Sequence, residues 1–193
     1  MSLGKQAKTL SKGQVEAALG YLTKTRHPER NRVIFLLSSK AGLRAKEIAH
    51  LTWDMITDAS GEIGPAIHLR DEASKGRSGR VIPLNGELRL ALIAWRPAQL
   101  KASPFVVSTE RSDQTSAQAV VNLFSRWYND LGFNGCSSRS GRRTFITVTA
   151  RKISTVGGSL RDVQLLAGHT NLRTTQRYID ANPHAQARVV QMA

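Results

Sequence analysis

The 193-residue chain carries 28 Lys and Arg against 14 Asp and Glu, a net charge of +14, which points first to a polyanionic partner. A single cysteine, Cys136, excludes an internal disulfide framework and fits a reducing compartment, and five scattered His give no zinc-site spacing. The longest apolar run, residues 33–37, is too short for a membrane span or a secretory leader, so a cytoplasmic, single-domain chain is expected.

Residues 1–9 lack periodicity and read as a flexible tail. Ser11 with Gln14 makes a capping box, Leu10 and Val15 staple across it, and the apolar spacing predicts a helix over 12–24. Pro28 suits the first turn of a second helix that Gly42 stops, and a short helix follows at 45–51. Residues 53–57, 66–70 and 80–84 are predicted strands of a small antiparallel sheet, with a turn at 74–79 and Pro83 closing the last strand. Asn85 caps a predicted helix reaching Leu100; Thr115 with Gln118 caps another over 116–131, stopped by Gly132. Further helices are predicted over 142–152, 159–167 and 171–179, with Ser159 and Asn171 as caps. The expected fold class is α+β, mainly α with one small antiparallel sheet. The domain is expected to span 10–185, with 186–193 a C-terminal tail.

The charge is concentrated at the two ends. Residues 1–46 hold ten basic side chains and two acidic ones; residues 134–193 hold nine and two, while the middle is nearly balanced. If the ends meet in space they form one positive face suited to a phosphate backbone.

No Gly-rich phosphate loop followed by Lys-Ser/Thr occurs, which argues against an ordinary nucleotide hydrolase. Carboxylates with metal-ligand spacing are also missing, which argues against a two-metal nuclease. Instead, cationic side chains sit beside turns and helix starts, and one tyrosine comes late in the chain. Four segments carry this pattern: Ala-Gly-Leu-Arg-Ala-Lys-Glu over 41–47, Ser-Lys-Gly-Arg-Ser-Gly-Arg-Val-Ile-Pro-Leu over 74–84, Arg-Ser-Gly-Arg-Arg-Thr-Phe over 139–145, and Leu-Ala-Gly-His-Thr-Asn-Leu-Arg-Thr-Thr-Gln-Arg-Tyr over 166–178.

In this order the segments resemble the catalytic domain of the tyrosine recombinase (phage integrase) family. The resemblance implies that double-stranded DNA is cut and rejoined through Tyr178 as nucleophile, with a 3′-phosphotyrosyl intermediate and a released 5′-hydroxyl. By similarity Arg44 and Arg142 clamp the phosphate, where bidentate guanidinium groups suit the developing charge. His169 matches the histidine that hydrogen-bonds the scissile phosphate, and Lys75 the general acid that protonates the leaving oxygen; its spacing to Pro83 favours it over Arg77 and Arg80. Arg139 stands where the family usually has His, and an arginine cannot shuttle a proton.

Each assignment has a plainer alternative. Arg44 can pair with Glu47 on its own helix, His169 can be a capping or core residue, and Lys75 can be a solvated turn lysine. Tyr21 and Tyr128 are expected to pack. Arg143, next to Arg142, is expected to face elsewhere and make a packing or backbone contact.

The covalent link conserves phosphodiester energy, so no cofactor, metal or ATP is implied. The family also implies a homotetramer on paired DNA sites, a nucleoid-associated cytoplasmic protein of bacterial or phage origin, and a separate N-terminal DNA-binding domain. None is expected before residue 10, so the chain is expected to be a fragment of a longer integrase, with 183–193 a candidate for exchange between neighbours. Two other readings are carried: a type IB topoisomerase-like strand transferase, and a catalytically weak DNA-binding module of the same fold.

Overall fold

A computed structural model of the chain describes residues 7–74, 78–99, 101–110, 112–179 and 190–191. Helix α1, Lys12–Leu22, opens on the Ser11–Gln14 capping box, with both reciprocal hydrogen bonds made. Leu10 is buried at its entrance and Val15 packs on the same core. Two backbone ties hold the chain before it: Lys8 N–H donates to Gly135 O and Leu10 N–H to Thr144 Oγ1.

Helix α2, Pro28–Lys40, starts with Pro28 in its first turn and buries every residue from Val33 to Ser39. It is the hub of the fold and touches α1, α3 (Ala45–His50), α4 (Gly86–Trp95) and α6 (Ser140–Lys152). Each large aliphatic side chain buried there contributes about 1.5–3 kcal/mol, which fixes α2 as a rigid support. After α2, Gly42 takes φ +66°, and a Cβ there would meet Phe145 Cδ1 at 2.4 Å. The turn therefore needs glycine on both counts.

The sheet has two strands, β1 (Ala66–Leu69) and β2 (Arg80–Pro83), paired antiparallel from Ala66 opposite Pro83 to Leu69 opposite Arg80. The third predicted strand, over 53–57, is instead a 3-10 turn, Trp53–Met55. Its apolar residues are buried as a strand pattern suggests, but local bonds win: Ile56 N–H and Thr57 Oγ1 both return to Trp53 O, and Thr52 Oγ1 bonds Asp54. Trp53 Nε1 finds Gln99 Oε1 at 3.0 Å, and the Arg96 guanidinium lies 5.5 Å over its ring.

Helix α4 is capped by Asn85 and ends at Trp95 rather than near residue 100, because Pro97 lacks the N–H that would continue it. Helix α5, Ala117–Asp130, is capped by Ser116 and not by Thr115, whose N–H is already given to Val107 O. Helix α6 begins two residues before its predicted start, since Ser140 N–H bonds Ser137 O and extends the first turn. Helix α7, Leu160–Ala167, has the Ser159–Asp162 capping box, and α8, Leu172–Gln176, has Asn171 as its cap. The class is the expected one, mainly helical with a small antiparallel sheet. No helix among the described residues is long and apolar enough to cross a membrane.

Most of the apolar core is one cluster drawn from α1 to α5 and the sheet. A second, small cluster of Ile146, Val163 and Ala167 sits between α6 and α7, with Tyr178 packed on its edge.

Candidate active site

Glu47 lies at the centre of the cationic residues. Its side chain on α3 is fully buried and accepts from Arg44 N and Arg44 Nη1, at 2.8 and 2.6 Å, and from both terminal nitrogens of Arg80 at 3.1 Å. Burial alone would raise the pKa of this carboxyl; the Arg80 hydrogen bonds and charge, followed by Arg44, outweigh burial and hold it below the ordinary value. So Arg44 makes the Glu47 pair expected as its plain alternative and still lines the cavity described below.

Arg80 is nearly as buried as its partner. Its Nε donates to Leu166 O at 2.8 Å, which ties β2 to the end of α7. At that end Gly168 adopts φ +61°, and a Cβ there would lie 2.8 Å from Arg80 Nη1. Only glycine fits against the guanidinium in this conformation. The motif-bearing segments at 41–47, 80–84 and 166–178 are thus joined by one buried arginine.

Arg142, on the first turn of α6, has its Nη1 bonded to Gly42 O and its Nη2 to Ala167 O, both at 2.6 Å, and Nη2 also lies 3.0 Å from His169 Nε2. Burial and then the charge of Arg44 push its pKa down, with Glu47 pulling back; a guanidinium in such a cluster keeps its proton. His169 follows Gly168, and its backbone is pinned at both ends by Gln164: His169 N–H donates to Gln164 O, and Gln164 Nε2 to His169 O. Burial, then Arg142, Arg44 and Arg80, lower the imidazole pKa from 6.5 to about 4, so the ring is neutral near pH 7.

Tyr178 comes two residues after α8. Its ring stacks on His169 with centroids 5.6 Å apart and planes 24° apart, and the Arg143 guanidinium lies 5.6 Å over the same ring. Its backbone is held by Thr147 Oγ1 to Tyr178 O at 3.3 Å and by Tyr178 N–H to Thr175 O at 3.0 Å. Arg143 therefore does not face away, as its place beside Arg142 suggested: its long side chain reaches the cavity and covers the tyrosine.

An open cavity of about 910 Å³ collects these groups. Arg44 and Lys46 form one wall, the 135–143 segment with Arg139, Arg142 and Arg143 another, and Thr174, Arg177 and Tyr178 a third. Arg139 is exposed at the start of α6 and makes no side-chain cap. His169 stands behind Arg142 rather than on the wall. Lys75, Gly76 and Arg77 lie outside the described residues, as does most of the 183–193 segment. The two ends of the Lys75 turn are anchored: Gly79 N–H and Ser78 N–H donate to Asp71 Oδ1 and Ser74 Oγ, and Lys46 Nζ to Ser74 O. No group of three metal-ligating side chains occurs among the described residues.

The sequence reading missed Glu47 and Arg80 as organisers of the site and Arg143 as a neighbour of the tyrosine. Tyr21 donates to Asp130, and Tyr128 is buried against Phe124 and Phe133, so neither approaches the cavity.

A profile of the phage integrase family matches residues 8–185. Tyrosine recombinase XerA of Thermococcus kodakarensis is 29% identical over 174 residues, covering 89% of this chain and 57% of that protein. Tyrosine recombinase XerC of Histophilus somni is 27% identical over 186 residues, covering 92% and 59%. Among solved structures, a XerA recombinase superposes with a TM-score of 0.74 at 18% identity, over 100% of this chain and 65% of that one. The Tn1549 transposon integrase in complex with a circular intermediate DNA gives 0.76 at 18%, over 97% and 66%. The chain thus shares its fold with these proteins and spans somewhat more than half the length of the curated relatives it matches.

Proposed function

Because the chain belongs to the phage integrase family, we propose that it is the catalytic domain of a site-specific tyrosine recombinase that cuts and rejoins double-stranded DNA. The observation that carries this is the single cavity lined by Arg44, Arg139, Arg142 and Tyr178, which come from three separate segments of the chain. Arg44 and Arg142 hold the non-bridging oxygens of the scissile phosphate. Both are fixed by protein carboxylate or carbonyl groups, so little reorganisation accompanies the reaction.

Tyr178 Oη attacks phosphorus, and the bond to the 5′ oxygen breaks. Lys75 gives a proton to that oxygen, and the phenol proton passes to water in the open cavity. The product is a 3′-phosphotyrosyl link and a 5′-hydroxyl, and attack by the 5′-hydroxyl of a partner strand regenerates the phosphodiester. Arg139 supplies charge rather than a proton. Positioning and charge account for most of such a phosphoryl transfer, so the chemistry calls for neither metal nor ATP.

The DNA-bound state of the Tn1549 integrase and of XerH on its difH substrate supports duplex DNA as the partner here. A homotetramer on two sites, with residues 10–185 as the catalytic unit, 186–193 docking on a neighbour and a nucleoid location, completes the reading. Binding by this chain alone is expected to be weak and to fall steeply with salt. The decisive test is a nicked duplex that traps the covalent product: Tyr178→Phe should abolish the denaturant-resistant adduct and leave DNA binding intact. An undiminished adduct in the variant overturns the assignment.

A further inference from the structure

Arg143 has no part in the chemistry above, yet its guanidinium carbon lies over the Tyr178 ring, 5.6 Å from the centroid. That is within the range in which a cation is attracted to an aromatic face, and both side chains line the same cavity. The hydrogen bonds of Tyr178 among the described residues are made by its backbone, with Thr147 and Thr175. The direction of the ring is therefore set by what packs against it: the His169 ring, the edge of the small α6–α7 cluster, and Arg143. Arg143 and Thr147 are four residues apart on α6 and so share one face of it. One lies over the ring of Tyr178 and the other is bonded to its carbonyl. The first turn of α6 is itself seated on rigid ground. A Cβ on Gly141 would lie 2.5 Å from Ser38 Oγ of α2, and Arg142 is bonded to Gly42 O.

We propose that Arg143 is a positioning residue for strand cleavage, which holds the Tyr178 ring from α6 and fixes the side from which its hydroxyl enters the cavity. The effect on cleavage rests on the role of Tyr178 proposed above; the hold on the ring does not. A phenol that swings freely spends only part of its time where its oxygen can attack, and the rate falls with that fraction. Arg143 is half-buried, so its attraction to the ring falls between that of an exposed pair and that of a desolvated one.

The test uses the whole chain with 13C in its tyrosine rings, Tyr178 being assigned by the signal missing from Tyr178→Phe. In the wild type without DNA, relaxation should show a Tyr178 ring nearly as ordered as that of the buried Tyr128. Arg143→Met, which keeps the length and loses the charge, should loosen the Tyr178 ring and leave Tyr128 unchanged; Arg143→Lys should restore most of the order. With a nicked duplex saturated by protein, single-turnover adduct formation should fall about tenfold in the methionine variant and less than about threefold in the lysine variant. A Tyr178 ring already mobile in the wild type overturns the proposal whether or not the methionine variant folds. So does a methionine variant whose binding is less salt-dependent by about one phosphate and which cleaves at the wild-type rate once saturated, since Arg143 is then a DNA-backbone contact only. If the ring loosens as expected while the wild-type chain forms no adduct, the function assigned above fails and the hold of Arg143 on Tyr178 stands.

Discussion

The large cluster built from α1 to α5 and the sheet buries long aliphatic and aromatic side chains almost completely, whereas the α6–α7 cluster buries Ile146, Val163 and Ala167 and leaves Val156 and Leu165 largely exposed. The candidate site straddles the two. Arg44, Glu47 and Arg80 stand on the heavily buried side, while His169 and Tyr178 stand on the thin side, where their backbones are held by hydrogen bonds with Gln164, Thr147 and Thr175. Segments with few buried apolar contacts open locally at lower free energy than the core. In the proposed reaction the difference makes a division of labour: Arg44, which would receive the phosphate, is anchored by the core, and the tyrosine is carried on the part that gives most easily.

Glu47→Gln strikes the link between the halves and should have the largest effect on stability. It leaves Arg80 as a buried cation without its counterion, for a loss of about 3–5 kcal/mol, to be read from urea midpoints. A near-neutral result would mean that the core side does not depend on this ion pair.

Gly168→Ala acts at the same junction from the thin side. A positive φ and the close approach of Arg80 together should cost about 1–3 kcal/mol. Adduct formation should fall more than the loss of folded protein explains, because His169 moves with Gly168. Unchanged kinetics in the folded fraction would sever the two.

Acid should weaken the thin side first. His169 has a pKa of about 4 when folded against 6.5 in the open chain. Between those values the unfolded chain binds a proton that the folded one does not, so stability falls as pH drops from about 6.5 to about 4 and levels off below. The Glu47 pairs fail lower, as pH falls through its depressed folded value. His169→Asn should therefore flatten the upper slope, leaving the share of His27, which is also depressed by burial. Urea midpoints across this range decide it; an unaltered slope in the variant would remove His169 from the account.

The smallest effect is expected at Arg139, on the exposed rim. If charge is all that this position supplies, Arg139→His should leave single-turnover cleavage within about tenfold, or ~1.4 kcal/mol of barrier, while Arg139→Ala should lose more. A large gain from histidine would instead mean that a proton must be exchanged there.

Much of this protein was legible in its sequence because the forces concerned act over three or four residues. The Ser11–Gln14 box, the Pro28 start, the Gly42 stop and the Asn85, Ser159 and Asn171 caps are all satisfied by neighbours in the chain. The order of the four motif segments likewise marked Arg44, Arg142, His169 and Tyr178, which the fold brings together. Other features were not legible in this way. Residues 53–57 carry a strand-like pattern, yet a local turn with Gln99 and Arg96 closing over Trp53 prevails. Arg80 looks like one of several turn cations until Glu47 and Leu166 O enclose it, and adjacency to Arg142 gives no hint that Arg143 covers the Tyr178 ring. The state of His169 follows the same rule. Its residue type permits either charge, and it is burial, followed by the guanidinium groups of Arg142, Arg44 and Arg80 brought in from other segments, that leaves it neutral near pH 7.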